Sequence, residues 1–237
     1  DKKMTTGTLY GLGVGPGDPD LLTVKALRII RDVPVIAYPA PDEGASLARS
    51  IVAPHLERDY EEIVIRMPLD AARFPAEDIY DDAATMISAR LQAGQDVAVL
   101  CEGDAFMYGS FLYLYQRLAA DHQVIVVPGV SSPMACAAAL GAPLAARNDA
   151  LMILPTTLPE DELSKRMALA DGVVLIKVGR HIDKARRALA SVGLADTAQY
   201  IERASMANER ILPLADAPSP APYFSIIIAH RRQDAWR

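Results

Sequence analysis

Apolar and polar positions follow two rhythms through the first half of the chain. Short, β-branched runs, TLYGLGV (8–14), VPVIAY (33–38), EEIVIR (61–66), DVAVLCE (96–102) and QVIVVPG (123–129), alternate with longer stretches whose apolar residues recur every three or four positions. That alternation is the pattern of βαβ units built around a parallel sheet. The spacing predicts helices over about 23–31, 46–53, 76–93, 111–120 and 131–140.

The rhythm changes after GAPLAARND (141–149), where helix-ending and turn-forming residues cluster. Strand-like ALMILP, GVVLIKV, TAQYIERA, ERILPL and YFSIIIAH follow, with helical patterns only near 160–169 and 181–191. Only SMAN separates the third and fourth of these strands, a connection short enough to require an antiparallel pair. ADAPSPAPY (215–223) reads as a proline-rich loop, and RHIDKARR (180–187) as an exposed helix face. The sequence therefore predicts two α/β domains: residues 1–130 with an open, parallel five-stranded sheet, and residues 131–237 with a mixed sheet, the boundary falling between about 118 and 148.

Composition narrows the function classes. With 237 residues and 51% hydrophobic content the chain can fill a sizeable core. Its longest apolar runs are far short of the roughly 20 residues of a membrane helix. DKKMTTG lacks the apolar centre of a signal peptide, so the cytoplasm is the expected location, and Asp1 to Lys3 read as sequence added or inherited ahead of Met4. Cys101 and Cys136 form neither a disulfide framework nor a metal motif, and the four histidines are scattered, so no metal is expected. A net charge of −6 argues against a nucleic-acid partner.

The candidate chemistry lies in three glycine-bearing loops. GVGPGD (13–18) follows the first strand but fits no phosphate cradle: the dinucleotide phase fails at Pro16 and Asp18, and no Lys-Ser/Thr pair closes a Walker loop. CEGDAFMYGS (101–110) ends the fourth strand and VPGVSS (127–132) the fifth. Parallel sheets gather ligands at the carboxyl ends of their strands, where all three loops would converge. Each also admits a plain structural reading, Asp18 and Asp104 as helix caps and Met107 as core filler.

Taken together, Gly15 to Asp18, Gly103 to Gly109 and Pro128 to Ser132, with GAPL (141–144) and ERASMANER (202–210), resemble the tetrapyrrole methylase family across nearly the whole chain. YPAP (38–41), TTLPEDEL (156–163) and IKVGR (176–180) are most similar to the members that methylate C20 of precorrin-2. The resemblance implies a cleft between the domains that binds S-adenosylmethionine and releases S-adenosylhomocysteine. Pro16, Glu102, Gly103, Asp104, Met107, Ser131, Ser132, Val178 and Ala204 would contact the cofactor. Valine at Gly103 would then fill ligand space while sparing the fold.

The substrate implied is an octacarboxylate tetrapyrrole, for which Arg49, Arg147, Lys177 and Arg203 are the candidate contacts. Asp104, or a water it orients, is the candidate base for the proton lost after methylation, and Tyr108 either packs or faces substrate. Some relatives carry an aspartate after the tyrosine that closes the second strand; here Pro39 follows Tyr38, and that role has no residue to carry it. The resemblance also implies a homodimer. A methylase of another tetrapyrrole, of RNA or of protein, or a non-catalytic ligand-binding homologue, are the alternatives.

Overall fold

The computed structural model describes residues 6–68 and 76–232, so Asp1 to Lys3 lie outside the described residues. The chain divides into two compact units, Asp1–Ser131 and Ser132–Arg237.

In the first unit five strands, β1 (Leu9–Gly13), β2 (Val35–Pro41), β3 (Glu61–Met67), β4 (Val97–Cys101) and β5 (Val124–Val127), form one sheet in the order β3-β2-β4-β1-β5. Every pairing is parallel. The period of two along each strand divides the side chains between two cores. Val97 and Val99, with Val35, Ala37 and Ile63, pack against α3 (Glu77–Gln92) and α4 (Phe111–Leu118). Ala98 and Leu100, with Ile36 and Tyr38, face α1 (Val24–Asp32) and α2 (Leu47–Val52). Gly11 belongs to this packing, because a Cβ there would lie 2.4 Å from the Phe111 ring. Helix starts are fixed by side chains: the Ala26 amide donates to Thr23 Oγ1, and the Arg49 amide to Ser46 Oγ.

The second unit carries α5 (Ser132–Leu140), α6 (Glu160–Met167) and α7 (Ile182–Ser191) around β6 (Leu151–Pro155), β7 (Gly172–Ile176), β8 (Gln199–Glu202), β9 (Arg210–Pro213) and β10 (Ser225–His230). The sheet order is β6-β7-β10-β8-β9. β6 and β7 are parallel, β10 runs antiparallel to both β7 and β8, and β8 and β9 form the antiparallel pair that the short SMAN connection requires. Leu154, Val173, Leu175 and Tyr200 pack beneath α6 and α7, while Val174, Ile176, Ile201 and Ile228 meet α5.

RHIDKARR is exposed at Arg180, Asp183 and Arg187, as expected, but Lys184 and Arg186 are held by the fold. Lys184 Nζ donates to the Leu158 carbonyl at 2.7 Å, and Arg186 Nη2 donates to the carbonyls of Leu214 and Ala217 at 3.0 and 2.5 Å. These long cations satisfy loop carbonyls that have no ladder partner, which tethers the proline-rich segment to α7.

Candidate functional site

The three loops of the first unit meet at the carboxyl ends of β1, β4 and β5. The Gly15 amide donates to the Gly103 carbonyl, the Gly103 amide returns the bond to Gly15, and the Val14 amide donates to the Cys101 carbonyl. Backbone packs on backbone there: a Cβ on Gly13 would lie 2.5 Å from the Gly129 nitrogen and 2.7 Å from the Gly103 oxygen. Side chains are excluded by the chain itself at these positions. Gly103 has φ of +64°, a conformation a β-branched residue strains to adopt. Valine there would therefore disturb the loop, correcting the expectation that it would spare the fold.

Asp104 ties the second loop to the third. Its Oδ1 accepts from the amides of Phe106 and Met107 at 2.9 and 3.1 Å, and its Oδ2 accepts from the Gly129 amide at 2.9 Å. Both carboxylate oxygens are thus engaged by backbone. Glu102 is held in a poorly hydrated place; burial raises its pKa, partly offset by a hydrogen bond from the Ala48 backbone. The segments 14–22, 101–110 and 127–132 contain four acids, Asp18, Asp20, Glu102 and Asp104, and no Lys, Arg or His. That charge disfavours a phosphate and suits a ligand carrying a cation.

Midway along β2, the Tyr38 hydroxyl donates to Glu62 Oε2 near the start of β3, and Arg49 forms a forked contact to the same carboxylate, Nη2 to Oε1 at 3.0 Å and Nε to Oε2 at 3.1 Å. Burial, then the Glu62 hydrogen bond, raises the Tyr38 pKa. Arg49 is thus already paired with a carboxylate of its own chain. Glu62 was not singled out from the sequence, because its partners lie 24 and 13 residues away and EEIVIR carries no local sign of them.

Among the described residues, five other than glycine have positive φ, and four of them are residues the sequence assigned to chemistry: Tyr108 (54°), Arg147 (53°), Lys177 (57°) and Arg203 (52°), with Ser205 (67°) the fifth. Left-handed backbone costs an ordinary residue roughly 1–3 kcal/mol, and such strain gathers at functional sites. Tyr108 is 50% exposed. Arg147 rides a turn held by Asp149, which accepts from the Ala146 amide at 2.8 Å and from Arg232.

In the second unit, Val178 and Ala204 are buried, and Lys177 and Arg203 stand at the ends of β7 and β8. Glu202, only 1% exposed, was not singled out from the sequence. Its Oε1 accepts from Arg203 Nη1 at 2.8 Å and Arg210 Nη1 at 3.2 Å, and its Oε2 from the Tyr200 hydroxyl at 2.6 Å. Burial, reinforced by this carboxylate, raises the Tyr200 pKa. A charged residue at an inward position of an apolar strand was the sequence signal for it.

Two α/β units, with glycine loops closing on one another at the carboxyl edge of a parallel sheet, define a class of ligand-binding fold rather than a phosphate-binding one. Residues 8–218 match the family described as tetrapyrrole (corrin/porphyrin) methylases, and the chain belongs to that family. It is 40% identical to a precorrin-2 C(20)-methyltransferase of a Sinorhizobium species, over 94% of each protein. It is 43% identical to the cobalamin biosynthesis protein CobIJ of Mycobacterium tuberculosis, matching 93% of this chain but 45% of that one, so the chain spans about half the length of CobIJ. Among solved structures, a cobalt precorrin-4 methyltransferase superposes with a TM-score of 0.72 at 23% identity, over 94% of each chain. Uroporphyrin-III C-methyltransferase of Thermus thermophilus, complexed with S-adenosyl homocysteine, superposes at 0.68 and 24% identity, over 94% of this chain and 92% of that one. At those identities the structures establish the shared fold.

Proposed function

We propose that the protein transfers a methyl group from S-adenosylmethionine to C20 of precorrin-2, or of its cobalt-bearing counterpart, in cobalamin biosynthesis. The observation that carries this reading is the match along nearly its whole length to the Sinorhizobium C20-methyltransferase. A cobalt-precorrin-2 C(20)-methyltransferase of Salmonella typhimurium is 33% identical over 95% of this chain.

When bound, S-adenosylmethionine supplies an electrophilic methyl on a sulfonium. The chain's own residues do the rest. The interlocked backbones around Gly15, Gly103 and Gly129 offer an acidic, cation-free rim, with Pro16, Glu102, Met107 and Ser131 as its proposed contacts; Ser132, Val178 and Ala204 are further proposed cofactor contacts. Asp104 holds the second loop in shape through three backbone amides. Transfer to carbon demands alignment above all, and a loop locked at both ends supplies it. Tyr108, exposed and held in left-handed backbone, is the side chain proposed to face the macrocycle. Asp104, or a water it orients, is the proposed proton acceptor. Arg147, Lys177 and Arg203 are proposed to meet substrate carboxylates, and Arg49 would do so in competition with Glu62.

The reading includes a cytoplasmic location and a homodimeric assembly, tested by cell fractionation and by light scattering. The activity is tested with isotopically labelled cofactor and both forms of the substrate, followed by mass spectrometry and NMR of the product. Label at C20 is the expected result; label at C2 or C7, or in RNA, overturns it.

A further inference from the structure

One edge of the second sheet carries a row of charged and aromatic residues. β7 and β8 end there and β9 and β10 begin there, because β10 runs antiparallel to its two neighbours and β9 antiparallel to β8. Glu202 at the end of β8 pairs in register with Ser225 on one side and Arg210 on the other. Continuing the register of Leu175 with Ile227 toward this edge brings the end of β7, Lys177, beside Ser225. The edge therefore presents, strand by strand, Lys177, then Tyr223 and Phe224 leading into β10, then Arg203, then Arg210. Neighbouring strands lie about 4.8 Å apart, so the row spans on the order of 15 Å.

The chemistry of the row is specific. Tyr223 and Phe224 are 69% and 39% exposed, and their rings sit edge to face with centroids 5.0 Å apart. The Phe224 carbonyl accepts from the Arg203 amide at 2.8 Å, which joins the aromatic step to the cationic one. Arg203 and Arg210 converge on one oxygen of Glu202, so two guanidiniums share one buried carboxylate, while Glu209 on the turn between them accepts from the Ser205 amide at 2.7 Å and leaves Lys177 as the row's net positive charge. The arginine side chains are 32% and 57% exposed while the carboxylate is 1% exposed. A carboxylate taken out of water at such cost persists only when its partners compensate it; of its three partners here, Tyr200 is buried and the two arginines are presented to solvent. Glu202 therefore sets the direction of both forks.

An exposed aromatic step flanked by cations on both sides complements a flat, conjugated ring that carries carboxylates around its rim. We propose that this edge is the docking surface for the carboxylated macrocycle, with the more exposed Tyr223 ring against its face and the perpendicular Phe224 ring edge-on to it, Lys177, Arg203 and Arg210 on its carboxylates, and Glu202 as the positioning residue. The proposal rests on the tetrapyrrole reading above and deepens it.

The test uses the intact chain and two stable probes, uroporphyrin with eight carboxylates and coproporphyrin with four, alongside turnover of precorrin-2. Lys177→Ala and Arg210→Ala should each weaken uroporphyrin binding about tenfold or more, the scale of one lost charged contact. They should also narrow the preference for uroporphyrin over coproporphyrin and leave S-adenosylmethionine affinity unchanged. Tyr223→Ala with Phe224→Ala should weaken both porphyrins alike. Glu202→Gln should raise KM for the tetrapyrrole with kcat retained; a fall in stability and kcat with KM untouched would make Glu202 structural and overturn its assignment. If the wild type methylates precorrin-2 and the Lys177 and Arg210 variants keep its KM, the docking surface is wrong and the activity stands. If the porphyrin results hold without C20 methylation, the activity is wrong and the surface stands.

Discussion

The backbones of Gly15 and Gly103 close a two-bond antiparallel bridge, the Gly15 amide reaching the Gly103 carbonyl at 3.1 Å and the Gly103 amide reaching the Gly15 carbonyl at 2.7 Å. This bridge joins the ends of β1 and β4 beyond the sheet, so neither loop has an independent conformation. Gly13→Ala drives a methyl into the adjacent backbone of Gly129 and Gly103. It should cost about 1–3 kcal/mol, the range for overpacking, and remove S-adenosylmethionine binding with it. Urea unfolding followed by circular dichroism, alongside calorimetry, tests this; an unchanged midpoint would mean that the loops separate without penalty.

Asp104→Asn separates the tie from the charge. The amide oxygen can still accept from Phe106 and Met107, but its NH2 faces the Gly129 amide, donor against donor. Hydrogen exchange at the Gly129 amide should accelerate at least tenfold, and cofactor affinity should fall before the chemical step does. A loss confined to kcat, with Gly129 still protected, would instead make Asp104 the base alone.

Glu62 gives the first unit an acid limit. Hydrogen bonding to Arg49, with a smaller contribution from Tyr38, lowers its pKa from the ordinary 4.5 against the opposing effect of burial. The folded value lies below the unfolded one, so the stabilisation is fully present above about pH 4.5 and is lost as pH falls through the folded value. Glu62→Gln should flatten the acid limb of the stability curve and leave neutral pH behaviour less affected. Thermal melts between pH 3 and 7 measure it, and an unaltered acid limb would assign the sensitivity to other carboxylates.

Neither thiol should react in the native state. Cys101 and Cys136 are 7% and 2% exposed. Burial raises both pKa values, with carboxylates nearby adding to it, and carries the Cys136 thiol to about 12. The thiolate is the nucleophile, so iodoacetamide at pH 8 should label both residues only after unfolding. Rapid native labelling of either one would reveal local opening of its core.

The elements were legible because strand and helix periods barely overlap in this chain. DVAVLCE alternates cleanly between two cores, and GVVLIKV and YFSIIIAH are the unbroken apolar runs of strands covered on both faces. Strand order was not legible. Nothing local in TLYGLGV says that it lies between β4 and β5, since pairing is settled by contacts far apart in sequence. The three loops could be recognised from their glycines, but the work of each glycine could not: Gly11 admits the Phe111 ring, whereas Gly13 admits backbone. Glu62 went unnoticed because its partners, Tyr38 on β2 and Arg49 on α2, are distant in sequence, whereas Glu202 carried a local sign, a charge on an apolar strand with Tyr200 and Arg203 beside it.

The position of β1 also dictates an order of events during synthesis. Its residues, Leu9–Gly13, pair only with β4, Val97–Cys101, and β5, Val124–Val127. This strand must therefore wait, its apolar residues unburied, while almost the whole of the unit is translated. β2 and β3, by contrast, pair directly with each other and can come together much earlier. Nascent chains arrested before Val97 should hold the β2–β3 pair with β1 still accessible to chaperones and proteases, and insertion of β1 into the gap between β4 and β5 becomes the closing step of that unit's assembly.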